Sequence, residues 1–235
     1  MGWKSSLIII ENKEGFTDEN AILKAIGKSD YKFEKETTLD ECIYPNDKSI
    51  NIGHYNGNII ISDDYQITTN SLERADKLDL TKEEKKLVEL FPDSEIINVA
   101  CHSTVNYHGY SIIKNGIKER LKVISSDTPK IELGERIEEE DKIYSNSYQK
   151  DGQSYWKDED DGEDFTEDQL MEDFTFGIAK RRLGVLLDHS DGEELMESVQ
   201  FKKYINTNKK AKWTKYGLIV LILIIWQILK RTVFK

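Results

Sequence analysis

The chain has 235 residues, with 33 Lys+Arg against 44 Asp+Glu, a formal net charge of −11, 38% hydrophobic residues and only two cysteines. That length suits one globular domain plus an appendage. The acidic balance excludes a general nucleic-acid binder, which needs a basic face to neutralise phosphates. Cys42 and Cys101 alone cannot build a disulfide framework or a four-cysteine zinc site.

Residues Leu7–Ile10 are a continuous apolar run within a strand predicted over Ser6–Glu11, buried on both faces. The start, Met1-Gly2-Trp3-Lys4-Ser5-Ser6, matches an N-myristoylation pattern in form. A strand that needs its N-terminus inside the fold, and the bulky Trp3, argue against acylation. Four consecutive apolar residues are also too few for a signal-peptide core. Thr17 or Asp18 caps a helix through Ile26, which Gly27 stops. Ile50–Tyr55 and Asn58–Ser62 flank Asn56-Gly57, a strong hairpin signal because both turn residues tolerate positive φ. Thr81-x-x-Glu84 is a capping box opening a helix to Phe91, and Pro92 ends it. Glu95–Ser103 reads as another buried strand, and Tyr107–Lys114 with Ile117–Ser125 form a second hairpin around Asn115-Gly116.

Positions 132–173 hold 17 Asp/Glu against four Lys/Arg. Within them, 138–164 reads as an acidic, mobile loop, with Tyr144, Tyr148, Tyr155 and Trp156 giving it docking surface. Thr166-x-x-Gln169 opens a helix carrying Leu170, Phe174 and Ile178, and a last amphipathic stretch covers 193–205. The fold class is α+β, a single mixed or antiparallel sheet domain with helices over 1–200.

No acidic residue follows Glu197, and from Lys202 onward there are nine Lys/Arg. That leaves 24 basic against 44 acidic residues before it, so −11 averages an acidic head and a basic tail. After a basic linker at 201–215, the segment Gly217–Trp226 reads GLIVLILIIW. Its strictly apolar core makes only ~21 Å of helix, whereas the wider run from Trp213 to Phe234 makes ~33 Å, enough for a ~30 Å hydrocarbon slab. A transmembrane helix is predicted over 216–234. Lys215 and Lys230 snorkel outward, and Trp213, Tyr216 and Trp226 sit at the interfaces. Six cations precede the span and three follow it, so the head is expected at the cytoplasmic face of the cell membrane, held by a single-pass C-terminal anchor.

Cys101-His102-Ser103-Thr104-Val105-Asn106-Tyr107-His108 is the one concentration of nucleophile-like and imidazole groups. Adjacent strand residues point to opposite faces, so Cys101 and His102 cannot pair as nucleophile and base. If Thr104–Asn106 is a three-residue loop, His102 and His108 become cross-strand neighbours ~5 Å apart. They would then be half of a metal site, with His54 or Asp63 as a third ligand, against the plainer reading of two hydrogen-bonded hairpin histidines. The run Asp158-Glu159-Asp160-Asp161-Gly162 suggests a calcium loop, but Lys157 occupies the first ligand position of an EF-hand alignment. No phosphate-binding glycine loop, nucleophile elbow or zinc-protease motif occurs, and no cofactor is expected.

The opening Met1-Gly2-Trp3-Lys4-Ser5 resembles an uncharacterised bacterial family, a domain of unknown function, that opens Met-Gly-x-Lys-[Ser/Thr] and continues into a strand. The segment Leu39–Pro45, the strand ending Cys101-His102-Ser103, the Tyr110–Ser125 hairpin, Ile131–Glu135 and Phe176-Gly177 are similar to it in order, over roughly residues 1–180. The resemblance implies no activity and transfers no catalytic residues.

The sequence therefore predicts a membrane-tethered, non-catalytic interaction module whose acidic residues meet a basic protein partner. Those acids are Glu138, Glu139, Glu140, Asp141, Asp158, Glu159, Asp160 and Asp161. A toxin-neutralising, immunity-type protein is one concrete form. The alternative is a membrane-anchored, metal-assisted hydrolase using His102 and His108. Membrane lipid, through the C-terminal helix, is the other expected partner, and nucleic acid is not.

Overall fold

Strand side chains alternate between two buried faces, and this alternation organises the domain. The computed structural model describes residues 2–44, 47–73, 77–126, 128–157, 162 and 164–207. The elements run β1 (Lys4–Glu11), α1 (Glu19–Ala25), β2 (Tyr31–Thr37), α2 (Leu39–Cys42), β3 (Ile50–Tyr55), β4 (Asn58–Ser62), α3 (Thr68–Leu72), α4 (Lys82–Leu90) and β5 (Ile96–His102). There follow β6 (Tyr107–Lys114), β7 (Ile117–Ser125), β8 (Ile131–Leu133), α5 (Glu138–Tyr144), β9 (Ser147–Lys150), β10 (Gln153–Lys157), β11 (Asp164–Thr166), α6 (Met171–Leu183) and β12 (Phe201–Asn206).

Nine strands form one antiparallel sheet in the order β2-β12-β3-β4-β1-β5-β6-β7-β8. In β1, Leu7 and Ile9 enter one core with Ile60, Val99, Tyr110 and Phe201, under α2 and α6. Ile8 and Ile10 enter the other, with Ile59, Ile61 and Ile113, against α1 and α4. A smaller cluster of Leu72, Ala100, Leu121 and Val123 extends that second side beneath α3. The domain is thus α+β with helices on both faces of a large antiparallel sheet, and the central strands read as unbroken apolar runs because neither face meets water.

Both predicted Asn-Gly turns form, with positive φ at Asn56, Gly57, Asn115 and Gly116. The Thr81/Glu84 capping box closes as predicted, and Asp18 caps α1 by accepting from the Ala21 amide at 3.1 Å. The helix opened by Thr166 starts as a 3₁₀ turn over Glu167–Leu170 and runs on in α6 to Leu183.

Two expectations are corrected. Residues 138–157 are not a loop: they form α5 and the β9–β10 hairpin, joined by β11 in a three-stranded sheet of order β11-β10-β9. Tyr144 and Trp156 anchor it, with ring centroids 5.5 Å from each other and 5.4 and 6.4 Å from Phe174. Residues 201–206 are not a linker but β12, an interior strand between β2 and β3. Phe201 and Tyr204 are buried, while Lys202 pairs with Glu19 and Lys203 with Asp47.

Among the described residues no helix is long and apolar enough to cross a membrane. The predicted span 216–234, with Trp213, Lys215, Tyr216, Trp226 and Lys230, lies outside the described residues, as do Asp158–Asp161.

Candidate functional site

The β5–β6 turn decides which imidazoles can cooperate. A 3₁₀ turn over Ser103–Val105 and a left-handed Asn106 at φ 47° make the connection four residues long. The pairing is therefore His102 with Tyr107 and Cys101 with His108. A one-residue change of register sends each side chain to the opposite face, so the predicted cross-strand pairing of His102 with His108 is corrected. His54 lies on β3, 3.9 Å from Glu19. Asp63 is consumed locally: fully buried, it accepts from the hydroxyls of Ser6 and Thr68 and the amides of Ile67 and Thr68. Among the described residues no three His, Cys, Asp or Glu side chains converge as a metal site.

The pair that the register does create, Cys101 beside His108, sits under α6, with the thiol 3.6 Å from Glu172. Burial, and then the Glu172 carboxylate, push the Cys101 thiol well above its ordinary range. Burial pulls His108 down to about 4 against partial support from Asp168. Both therefore stand neutral at physiological pH, and Cys101 has no exposed surface. A reactive thiolate needs a lowered pKa and access, and this pair has neither. Its role is packing.

The densest polar construction is next to it, where β7 delivers Arg120 and Lys122 into the core. A register shift at the β6–β7 pair places Lys118 and Arg120 on opposite faces of the sheet. Arg120 donates to Glu140 at 2.9 Å, to Glu132 at 2.8 Å and to the Gly134 carbonyl at 2.8 Å. Glu140 also accepts from the Tyr110 hydroxyl at 2.7 Å and from the Ile137 amide at 2.9 Å. Lys122 contacts Glu167 at 2.6 Å and donates to the Tyr144 hydroxyl at 2.8 Å, with its ammonium 4.0 Å from the Phe174 ring centroid. Lys130 completes the network, 2.7 Å from both Glu132 and Glu167. Burial pushes Glu132 upward, but hydrogen bonds from Lys130 and Arg120 outweigh it and hold the acid at about 2. Burial dominates at Lys122 and lowers it. Gly134 permits the approach: at φ +84° any Cβ would lie 1.9 Å from the Glu119 carbonyl oxygen.

On the other face, Lys118 meets Glu84 at 2.9 Å, and Glu84 is shared with Ser71, Asn98 and the α4 capping box. These are fully hydrogen-bonded networks of the kind that fix a unique packing.

A polar cavity of about 460 Å³ opens beside the first network, between the end of β7 and the small sheet, lined by Lys130, Arg136, Gln149, Ser154, Glu167 and Asp168 among others. Its carboxylates are already engaged: Asp168 accepts from Asn106 and Thr166, and Glu167 binds Lys122 and Lys130. Of the four α5 acids expected to meet a partner, Glu140 is fully buried on Arg120, Glu139 pairs with Arg181 at 3.0 Å and Glu138 with Lys142 at 2.8 Å. Asp141 faces solvent.

The sequence reading missed Arg120, Lys122, Glu132 and Glu167. Their signal was present in IKERLKVIS, whose cations recur at every second position, but the same period describes a strand with one wet face. The chain matches no family model, no curated protein and no solved structure.

Proposed function

We propose that this protein is a membrane-tethered, non-catalytic interaction module that presents an acidic end to a basic protein partner, an immunity-type neutraliser being one form. The observation that carries the reading is where the acids stand. Helices α1, α2 and α5 begin, each with an acidic first turn, at the end of the sheet opposite to where β12 finishes, while α4 and α6, also acidic in their first turns, begin at the other end. Glu11 at the end of β1 and Glu14, Asp93 and Glu95 in the connections lie at the α1, α2 and α5 end, with Lys13 and Lys114 among them. Arg181 and Arg182 neutralise Glu11, Glu95 and Glu139, whereas Glu14, Asp40 and Asp141 remain exposed. Acids in a first helical turn also stabilise the helix itself.

Opposed charges steer association and suppress wrong partners. In support of the tether, the basic and apolar sequence after residue 207 follows directly on β12. The test is recovery of bound proteins from detergent-solubilised membranes with the full chain as bait, at low and then moderate salt. The expected result is a basic partner retained by the unaltered chain, released by salt and lost from a Glu14→Gln/Asp141→Asn variant. Equal retention by that variant overturns the acidic-surface reading. A chain ending at residue 207 is expected in the soluble fraction, and its persistence with membranes overturns the tether.

A further inference from the structure

Among the described residues, the large apolar side chains that stand exposed are Phe33, Tyr44, Val105 and Ile117, at 55%, 40%, 48% and 65%. Three of them share one end of the molecule. Val105 is the tip of the β5–β6 turn, and Tyr44 follows α2 and stacks on Trp3, just ahead of β1, at 6.1 Å. Phe33 is one two-residue step inside the start of β2, against Tyr204 at 6.2 Å. The strand pairings place these positions together with the end of β12, where Asn206 pairs with Tyr31 and Tyr204 with Ile50. Ile117, at the β6–β7 turn, is at the opposite end.

The remainder of this end combines apolar surface with charges of both signs. An apolar hollow of about 800 Å³ opens behind Val105, lined by Tyr107, Val123, Pro129 and Ile131 among others. Lys4, Lys32 and Lys48 are exposed there. Three acids on this end are engaged, Asp47 with Lys203, Asp30 with Asn206 at 2.6 Å and Asp64 with the Lys48 amide at 2.9 Å, while Glu34, Asp79 and Asp173 are exposed there beside the lysines. Glu73 lines the hollow. Aromatic rings, a protruding aliphatic side chain and free lysines are the groups that favour the interface of an anionic bilayer.

We propose that this end of the head, through Val105, Tyr44 and Phe33 with Lys4, Lys32 and Lys48, rests on the lipid surface and holds the acidic end away from it. The proposal rests on the membrane-tethered reading. It goes beyond the tether because it fixes the orientation of the folded domain, not only its attachment. Symmetric pairing of two copies along the exposed β2 edge is a poorer use of Phe33. Antiparallel edge pairing would send the two β12 strands out at opposite ends of the joined sheet, so both chains could not enter one bilayer.

The test uses the full chain reconstituted in vesicles containing anionic phospholipid, with Val105→Cys or Ile117→Cys labelled by an environment-sensitive fluorophore. Cys42 and Cys101 are buried and escape labelling. The expected result is blue-shifted emission with loss of iodide quenching at position 105, and aqueous emission with full quenching at 117. A label at 44 in place of Tyr44 should report as at 105, which guards against a local effect of one substitution. Co-flotation with vesicles while 105, 44 and 117 all remain aqueous overturns the lipid-facing orientation and leaves the tether standing. Failure to float with vesicles overturns the tether and this proposal with it.

Discussion

At the scale of single residues, His108 and Glu140 show how much of the polar chemistry serves the fold. An imidazole held at about 4 when folded, against 6.5 when exposed, stabilises the fold fully above about 6.5 and progressively less as the pH falls towards 4. Between pH 7 and pH 5 this group alone should remove about 2 kcal/mol, because the unfolded chain takes up the proton more readily. In His108→Gln the gap between urea unfolding free energies at those two pH values should shrink by that amount; an unchanged gap would show that His108 is not held neutral. Glu132, held at about 2 against 4.5, contributes in a lower window, with stability present above 4.5 and lost as the pH falls through 2. At Glu140, replacement by Gln leaves Arg120 without its closest buried countercharge, and breaking such a pair typically costs about 3–5 kcal/mol. The paired change Arg120→Met/Glu140→Leu should recover most of that loss in denaturant titrations, since a buried ion pair and a well-packed apolar pair are often near balance. Whether His102 or Cys101 faces His108 could not be read from the sequence, because it turned on one residue of loop length.

Elements were legible where a local signal and the tertiary setting agreed. The two Asn-Gly hairpins, the Thr81/Glu84 box and the apolar runs of β1 and β5 need nothing beyond their own residues. The strand β2, with the sequence YKFEKET, and the strand β12, with the sequence FKKYIN, carry too little apolar alternation to stand out, since their charges pair with partners distant in sequence. The α5–β10 region looked like a loop because its buried groups are a few aromatics and one hidden acid among many exposed charges. The corrected boundary has a consequence for truncation. A chain ending at residue 200 lacks β12, so among the described strands β2 loses its one neighbour and β3 one of its two. It also loses the buried Phe201 and Tyr204, and removal of one large core aromatic already costs about 3–5 kcal/mol. Circular dichroism during heating should reveal a cooperative transition for residues 1–207 and none for 1–200. A cooperative 1–200 chain would mean that β12 is dispensable and that the domain ends where its sequence first suggests.

For the whole molecule, the sequence carried the segregation of charge along the chain, and the fold of the described residues decides where the acids of the head stand in space. The acidic first turns of α1, α2 and α5 stand at one end and those of α4 and α6 at the other, an outcome of topology that no window of sequence contains. Such a distribution acts over distances longer than a hydrogen bond, so its main effect should be on how quickly a basic partner is captured. Exposed charges at the rim change the association rate and its salt dependence, whereas buried contacts set the dissociation rate. Substituting Glu14 and Asp141 together by amides should therefore slow association at low salt by about tenfold, within the range that electrostatic steering commands. It should also flatten the dependence of the association rate on ionic strength, with dissociation little altered. Surface plasmon resonance with the partner recovered by the full chain measures both rates. A variant that associates at the normal rate but dissociates faster would place the contact in a desolvated patch and remove the long-range acidic field from the recognition step.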